Sequence, residues 1–156
     1  HEWEPRVGSL DGAFLWYGQL AVFHRDEAAD LLAKVVKGLR PGGRFCVEML
    51  AAERVDRGES KWWFRDEGGL WGKRPFLHLG ERFWDEAERA SIERYFILHL
   101  EEGKMEEIHL RDYVYEIEEM VRMMKRAGFK RVEVVKGWGG LGLYDEEEWV
   151  VYIGEV

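Results

Sequence analysis

An α/β fold with parallel strands and an antiparallel insertion is what this 156-residue sequence predicts. Three observations carry the prediction. "LAKVVKGLRPGGRFCVEML" reads as a helix, a tight turn and a buried strand. "YEIEEMVRMMKRAGFKRVEVV" reads as a second helix, turn and strand. Between them the hydrophobic period shifts towards two, as in half-buried strands.

Taken in order, "LDGAFLWY" (Leu10 to Tyr17) is a continuous apolar run and suits a strand buried on both faces. In the next segment Ala28, Leu31, Leu32, Val35, Val36 and Leu39 form one helical stripe. Asp26 and Glu27 open that helix and Lys37 and Arg40 close it, matching the helix dipole. Pro41-Gly42-Gly43 stops it, and "RFCVEML" follows as a second buried strand. Strand, helix, strand with short joints is a right-handed parallel unit. Ala51 to Lys73 reads as a loop or short helix, aromatic in "KWWFRDEGGLWG", that could cover something. From Pro75 to Val114, "FLHLGERFW", "SIERYFILHL" and "MEEIHLRDYV" read as a three-strand antiparallel meander, turning at Asp85–Glu88 and Glu101–Lys104. Ile92, Phe96, Leu98 and Leu100 share one face there, with Ile108 and Leu110 to pair with it. In the last helix Ile117, Met120, Val121, Met124 and Ala127 make a core stripe and Gly128 ends it. "RVEVV" and "EWVVYIGEV" are the final strands.

Composition narrows the function. The chain is 46% hydrophobic, 14% aromatic and 35% charged, which is globular. Length suggests one domain, 1–156. The net charge of -8, with dispersed acids, argues against a nucleic-acid partner. No apolar run reaches the roughly 18 residues of a membrane span, and His1-Glu2-Trp3-Glu4 does not open like a secretory signal, so a cytoplasmic protein is expected. Cys46, the one cysteine, leaves no intrachain disulfide and no thiolate zinc site. His78, His99 and His109 sit on strand patterns without metal spacing, so surface or cross-strand roles and no metal site are expected. The charge content would suit a thermophile.

One motif tempts. Gly137-Trp138-Gly139-Gly140-Leu141-Gly142 matches G-x-G-x-x-G after a strand. A phosphate site needs a helix next, whereas Asp145 to Glu148 follow and would repel a pyrophosphate. The segment reads as a connection between strands.

With the order of elements on the page, the chain resembles the C-terminal half of a class I S-adenosylmethionine-dependent methyltransferase of the small-molecule type. "SLDGAFLWYGQLAVF" looks like the family's fourth strand and following loop. "LLAKVVKGLRPGGRF" is similar to its "LKPGG" helix, turn and fifth strand. "EIEEMVRMMKRAGFKRVEVV" is similar to its "LLxxAGF" helix and sixth strand, and "EWVVYIGEV" to its antiparallel seventh. The resemblance implies a Rossmann-like sheet from strand four onward, with a substrate-side meander inserted over about residues 74–114. It also implies that the first three strands, with their glycine loop and ribose-binding acid, are absent, so that this chain alone is expected to be inactive and to bind S-adenosylmethionine weakly or not at all.

Ligands of such sheets sit beyond the carboxyl ends of the parallel strands. The resemblance places Trp16, Tyr17, Gly18 and Gln19 beside the cofactor's sulfonium and methyl group. Trp16 and Tyr17 read equally well as core aromatics. Glu48, Trp63, Trp138 and Tyr144 are candidates on the substrate side. Glu48 is unusual in an apolar strand, since a buried carboxylate needs a partner; the alternative is a side chain pointing to solvent at the strand end. Trp62, Trp63, Phe64 and Trp71 could form an aromatic lid or pack under the meander. No catalytic base can be named. Without its first-strand neighbour, Leu10 to Tyr17 would be an open apolar edge, expected to self-associate as a homo-oligomer such as a dimer, or to pair with the missing half. A non-catalytic α/β binding or dimerisation module is the competing reading.

Overall fold

The computed structural model describes residues 3–137 and 148–156. The chain divides into two compact units, one made of residues 1–55 and 114–156 and the other of Asp56–Tyr113.

The first unit is built around a four-stranded sheet. Strand β1 (Leu10–Leu15) leads through a short helical turn (Gln19–Val22) to helix α1 (Arg25–Gly38) and strand β2 (Leu39–Leu50). After the second unit come helix α2 (Ile117–Ala127) and strands β7 (Arg131–Lys136) and β8 (Trp149–Glu155). The order is β1-β2-β8-β7, with β1 parallel to β2 and β8 antiparallel to both β2 and β7. The Pro41-Gly42-Gly43 turn is absorbed into β2 as an irregularity: Leu10 pairs with Leu39 and Gly12 with Arg44, so Arg40 to Gly43 bulge opposite Asp11. An Arg40–Asp11 ion pair at 2.7 Å closes the bulge.

Helix α1 starts on a capping box: His24 Nδ1 accepts from the Asp26 amide, and Glu27 accepts from the His24 amide at 3.0 Å. Helix α2 ends on Gly128, whose φ of 118° lies where a side chain is strained. Its Met120 and Met124 are fully buried, as the stripe predicts. Phe129 stacks on Phe45 of β2 at 5.8 Å, so α2 covers the face carrying Phe45 and Gly154. The Arg25 guanidinium joins α1 to α2 through Glu119 at 2.7 Å.

Strand β1 departs from expectation. It was read as buried on both faces, yet it lies at the sheet edge with Phe14 60% exposed. Among the described residues no strand pairs with its outer edge. It also ends earlier, at Leu15. Trp16 and Tyr17 turn out of the strand and are exposed, so they are not core aromatics.

The second unit is an antiparallel sheet of four strands: β3 (Ser60–Asp66), β4 (Phe76–Asp85), β5 (Ala90–His99) and β6 (Lys104–Tyr113), each paired with the next. It takes in more chain than the three strands expected from about residue 74, because "SKWWFRD" is a strand rather than a loop or short helix. Its period of two is real: Trp62 and Phe64 share one face, Trp63 and Arg65 the other. The turns fall where expected, with Asp85 Oδ1 accepting from the Ala87 and Glu88 amides. The core face does so only in part, since Ile92 on the expected face is buried. Tyr95 and Ile97, not Phe96 and Leu98, join Phe76 in the buried cluster, and Ile108 pairs with Tyr95. Both faces of β5 carry apolar residues, and Trp62 and Trp71 decide the matter by covering the Tyr95 side.

Among the described residues no helix is long and apolar enough to cross a membrane, and no group of three or more His, Cys, Asp or Glu could hold a metal ion.

Candidate functional site

The carboxyl ends of the parallel strands β1 and β2 meet at the segment Trp16-Tyr17-Gly18-Gln19. Its backbone is sharply folded. Tyr17 has a φ of 54° and Gly18 a φ of 64°, both left-handed. For glycine this costs little; for tyrosine it costs about 1–2 kcal/mol and must be held by its surroundings. A Cβ on Gly18 would meet only ordinary contacts, so the backbone angle, not lack of room, calls for glycine there.

What holds the turn is Glu48. Its side chain is 1% exposed. Its Oε2 accepts from the Tyr17 amide at 2.8 Å, and its own carbonyl accepts from the Gly18 amide at 3.1 Å. The Gln19 amide then donates to the Trp16 carbonyl at 3.2 Å, and the Ala21 amide to the Gly18 carbonyl at 2.7 Å. The amides of Tyr17, Gly18 and Gln19 therefore all donate within the protein. Around this turn stand aromatic rings. Trp16 stacks on Phe14 at 5.4 Å, and the Tyr17 ring meets Trp149 edge-on at 6.1 Å. The Cys46 thiol, two residues before Glu48 on β2, has its pKa raised by burial and then by the Glu48 charge. On the other side Leu15, Gln19, Val22 and Phe23 line a cavity of 610 Å³ that runs along α1 to Lys34.

Of the residues singled out in the sequence, five come together: Trp16, Tyr17, Gly18, Gln19 and Glu48. Glu48 does not point to solvent. Trp63 belongs to the second unit, on β3, and is 71% exposed. Trp138 and Tyr144 lie outside the described residues. The structure adds Trp149 and Phe14. Trp149 was hidden at the start of a strand pattern, although its place directly after four acids marks a change of environment.

The second unit holds another site-like cluster that sequence reasoning missed. His78 is 3% exposed. Its ring stacks on Phe64 at 4.6 Å and lies 4.9 Å from Tyr95 and 5.7 Å from Trp71. Its Nε2 accepts from the Trp62 indole at 3.2 Å, and its Nδ1 finds no partner among the described residues. The three histidines were expected at surface or cross-strand positions. His109 is exposed, and His78, buried because it shares the face of Trp62 and Phe64, takes a cross-strand role with both.

Comparison with solved structures is consistent across the neighbours. The CcbJ methyltransferase from Streptomyces caelestis matches with a TM-score of 0.62 at 19% identity, over 100% of this chain and 63% of that one. An S-adenosylmethionine-dependent methyltransferase from Clostridium acetobutylicum matches with 0.62 at 12%, over 93% and 56%. CalS10, an amino pentose methyltransferase from Micromonospora echinaspora solved with S-adenosylmethionine bound, matches with 0.55 at 18%, over 95% and 59%. The fold is that of class I S-adenosylmethionine-dependent methyltransferases. This chain spans less than two thirds of the length of these three methyltransferases. No family model and no curated protein matches the sequence.

Proposed function

We propose that these residues form the C-terminal part, from strand four onward, of an S-adenosylmethionine-dependent methyltransferase acting on a small molecule. On this reading β1, β2, β7 and β8 stand for the family's fourth, fifth, sixth and seventh strands, and the second unit is the substrate-side insertion. The observation that carries the proposal is the chemistry of the rim at Trp16–Gln19. Three consecutive amides donate inward, so the rim is no anion cradle. A carboxylate lies beneath it and aromatic rings beside it, a setting that favours a cation by about 0.5–2 kcal/mol per ring face.

When bound, S-adenosylmethionine supplies a methyl group on a positively charged sulfur, and these surroundings fit that charge. Trp16, Tyr17, Gly18 and Gln19 would hold it at the strand end. The protein's part in such a transfer is positioning and exclusion of water, which needs few reactive side chains. Trp63, Trp138 and Tyr144 stand as proposed substrate contacts. This chain alone is proposed to be inactive, with the remaining cofactor contacts supplied by the part of the fold that it does not span.

The test is a titration of the isolated chain with S-adenosylmethionine, by calorimetry and by amide chemical shifts. Weak, millimolar binding that perturbs Trp16 to Gln19 is expected. Micromolar affinity would refute the half-site. No perturbation of the rim at millimolar cofactor would remove the cofactor from this site.

A further inference from the structure

The carboxylate of Glu48 sits where a ligand-binding acid would be sought, and one of its oxygens is engaged by the backbone. Its side chain takes the amide of Tyr17 and its main chain takes the amide of Gly18. Those are the two residues in the left-handed region. Left-handed backbone at a tyrosine is unfavourable unless the surroundings supply a constraint; the Tyr17 ring meets Trp149 edge-on but is 72% exposed. A charged acceptor within 2.8 Å of a buried-side amide does supply it.

We propose that Glu48 is a positioning residue: it locks the Tyr17–Gly18 turn and so sets the place of the Trp16 and Tyr17 rings and turns the rim's donors inward. Its effect on any ligand passes through Tyr17. The inference deepens the cofactor reading by naming what shapes that rim, and the measurement below does not depend on it.

Amide hydrogen exchange, residue by residue on the 156-residue chain, tests this. In Glu48→Ala the Tyr17 and Gly18 amides are expected to exchange about ten- to a hundredfold faster, the range for losing a hydrogen bond to a charged group. The β2–β8 ladder, at Val47 and Tyr152, is expected to keep its rates. Glu48→Gln, which keeps an acceptor oxygen, should restore much of the protection. Val47→Ala serves as a comparator, because it weakens the core without touching the turn. Tyr17 and Gly18 rates unchanged in Glu48→Ala would overturn the proposal. So would acceleration spread evenly over β2 and β8, as in the comparator. If the exchange result holds while S-adenosylmethionine leaves the rim unperturbed, the cofactor reading fails and the positioning role stands.

Discussion

His78 is a polar side chain placed among aromatic rings with one of its two nitrogens paired. Because Nε2 accepts from the Trp62 indole, the neutral ring carries its proton on Nδ1. Protonating Nε2 would set two donors face to face. Burial also disfavours the charged form and holds the His78 pKa below its usual 6.5. A histidine with a depressed folded pKa contributes stability that is complete above the unfolded value, near pH 6.5, and is lost as pH falls through the folded one. Urea melts of the protein and of His78→Leu between pH 7.5 and 4.5, from about one unit above to about two units below the usual histidine value, should show the wild type losing more stability on acidification. Equal pH dependence in the two proteins would contradict this account. Nothing in "FLHLG" marked His78 as buried. The rings that enclose it come from Phe64, Trp71 and Tyr95, on three other stretches of chain, and a single strand's alternation cannot show which face those will cover. Glu48 was more legible. A carboxylate inside an apolar strand raised the need for a partner, but not that the partner would be a backbone amide 31 residues earlier in sequence.

At the level of elements, the methionine helix α2 was readable because its glycine cap, charge placement and apolar spacing agree, whereas the α1–β2 joint was legible only as helix then strand: α1 ends at Gly38, and Leu39, Arg40 and Pro41-Gly42-Gly43 belong to β2. β3 was not legible. Three adjacent aromatics in "KWWF" hide an alternation, and the partner that makes it a strand is β4. Gly80 of β4 lies opposite Trp62, and a Cβ at that position would overlap the indole ring. The glycine is thus the seat of Trp62, through which the indole reaches both His78 and Tyr95. Gly80→Ala is expected to displace the indole and to destabilise the protein by about 1–3 kcal/mol, the usual cost of overpacking. A thermal melt with tryptophan fluorescence reads both effects. A variant with unchanged stability and unchanged emission would show that Trp62 is not held in this way. The same geometry explains why Tyr95 and Ile97 are buried more deeply than Phe96 and Leu98 on the expected face of β5, although Ile92 on that face is buried too. Period two shows that a strand has two faces, and only the packing of Trp62 and Trp71 selects between Phe96 and Tyr95.

At the scale of the whole chain, the open question is what lies beside β1. Its outer edge pairs with no strand among the described residues, and Phe14 and Trp16 stand exposed next to it. Unpaired edges with apolar side chains pair with other chains unless charge prevents it. Opposing that tendency is the net charge of -8, which makes two copies repel. The balance should therefore depend on salt. The Debye length falls from about 30 Å at 0.01 M to about 3 Å at 1 M, so added salt removes the repulsion and leaves edge pairing intact. Light scattering after size exclusion is expected to show self-association that grows with salt, and Phe14→Lys is expected to suppress it by placing a charge beside the edge. An N-terminal segment carrying the family's first strands, added in trans, would compete for the same edge and reduce self-association at every salt concentration. A wild-type chain that stays monomeric at high salt would mean that β1 is protected as it stands, and the proposal that it awaits a neighbouring strand would fall with it.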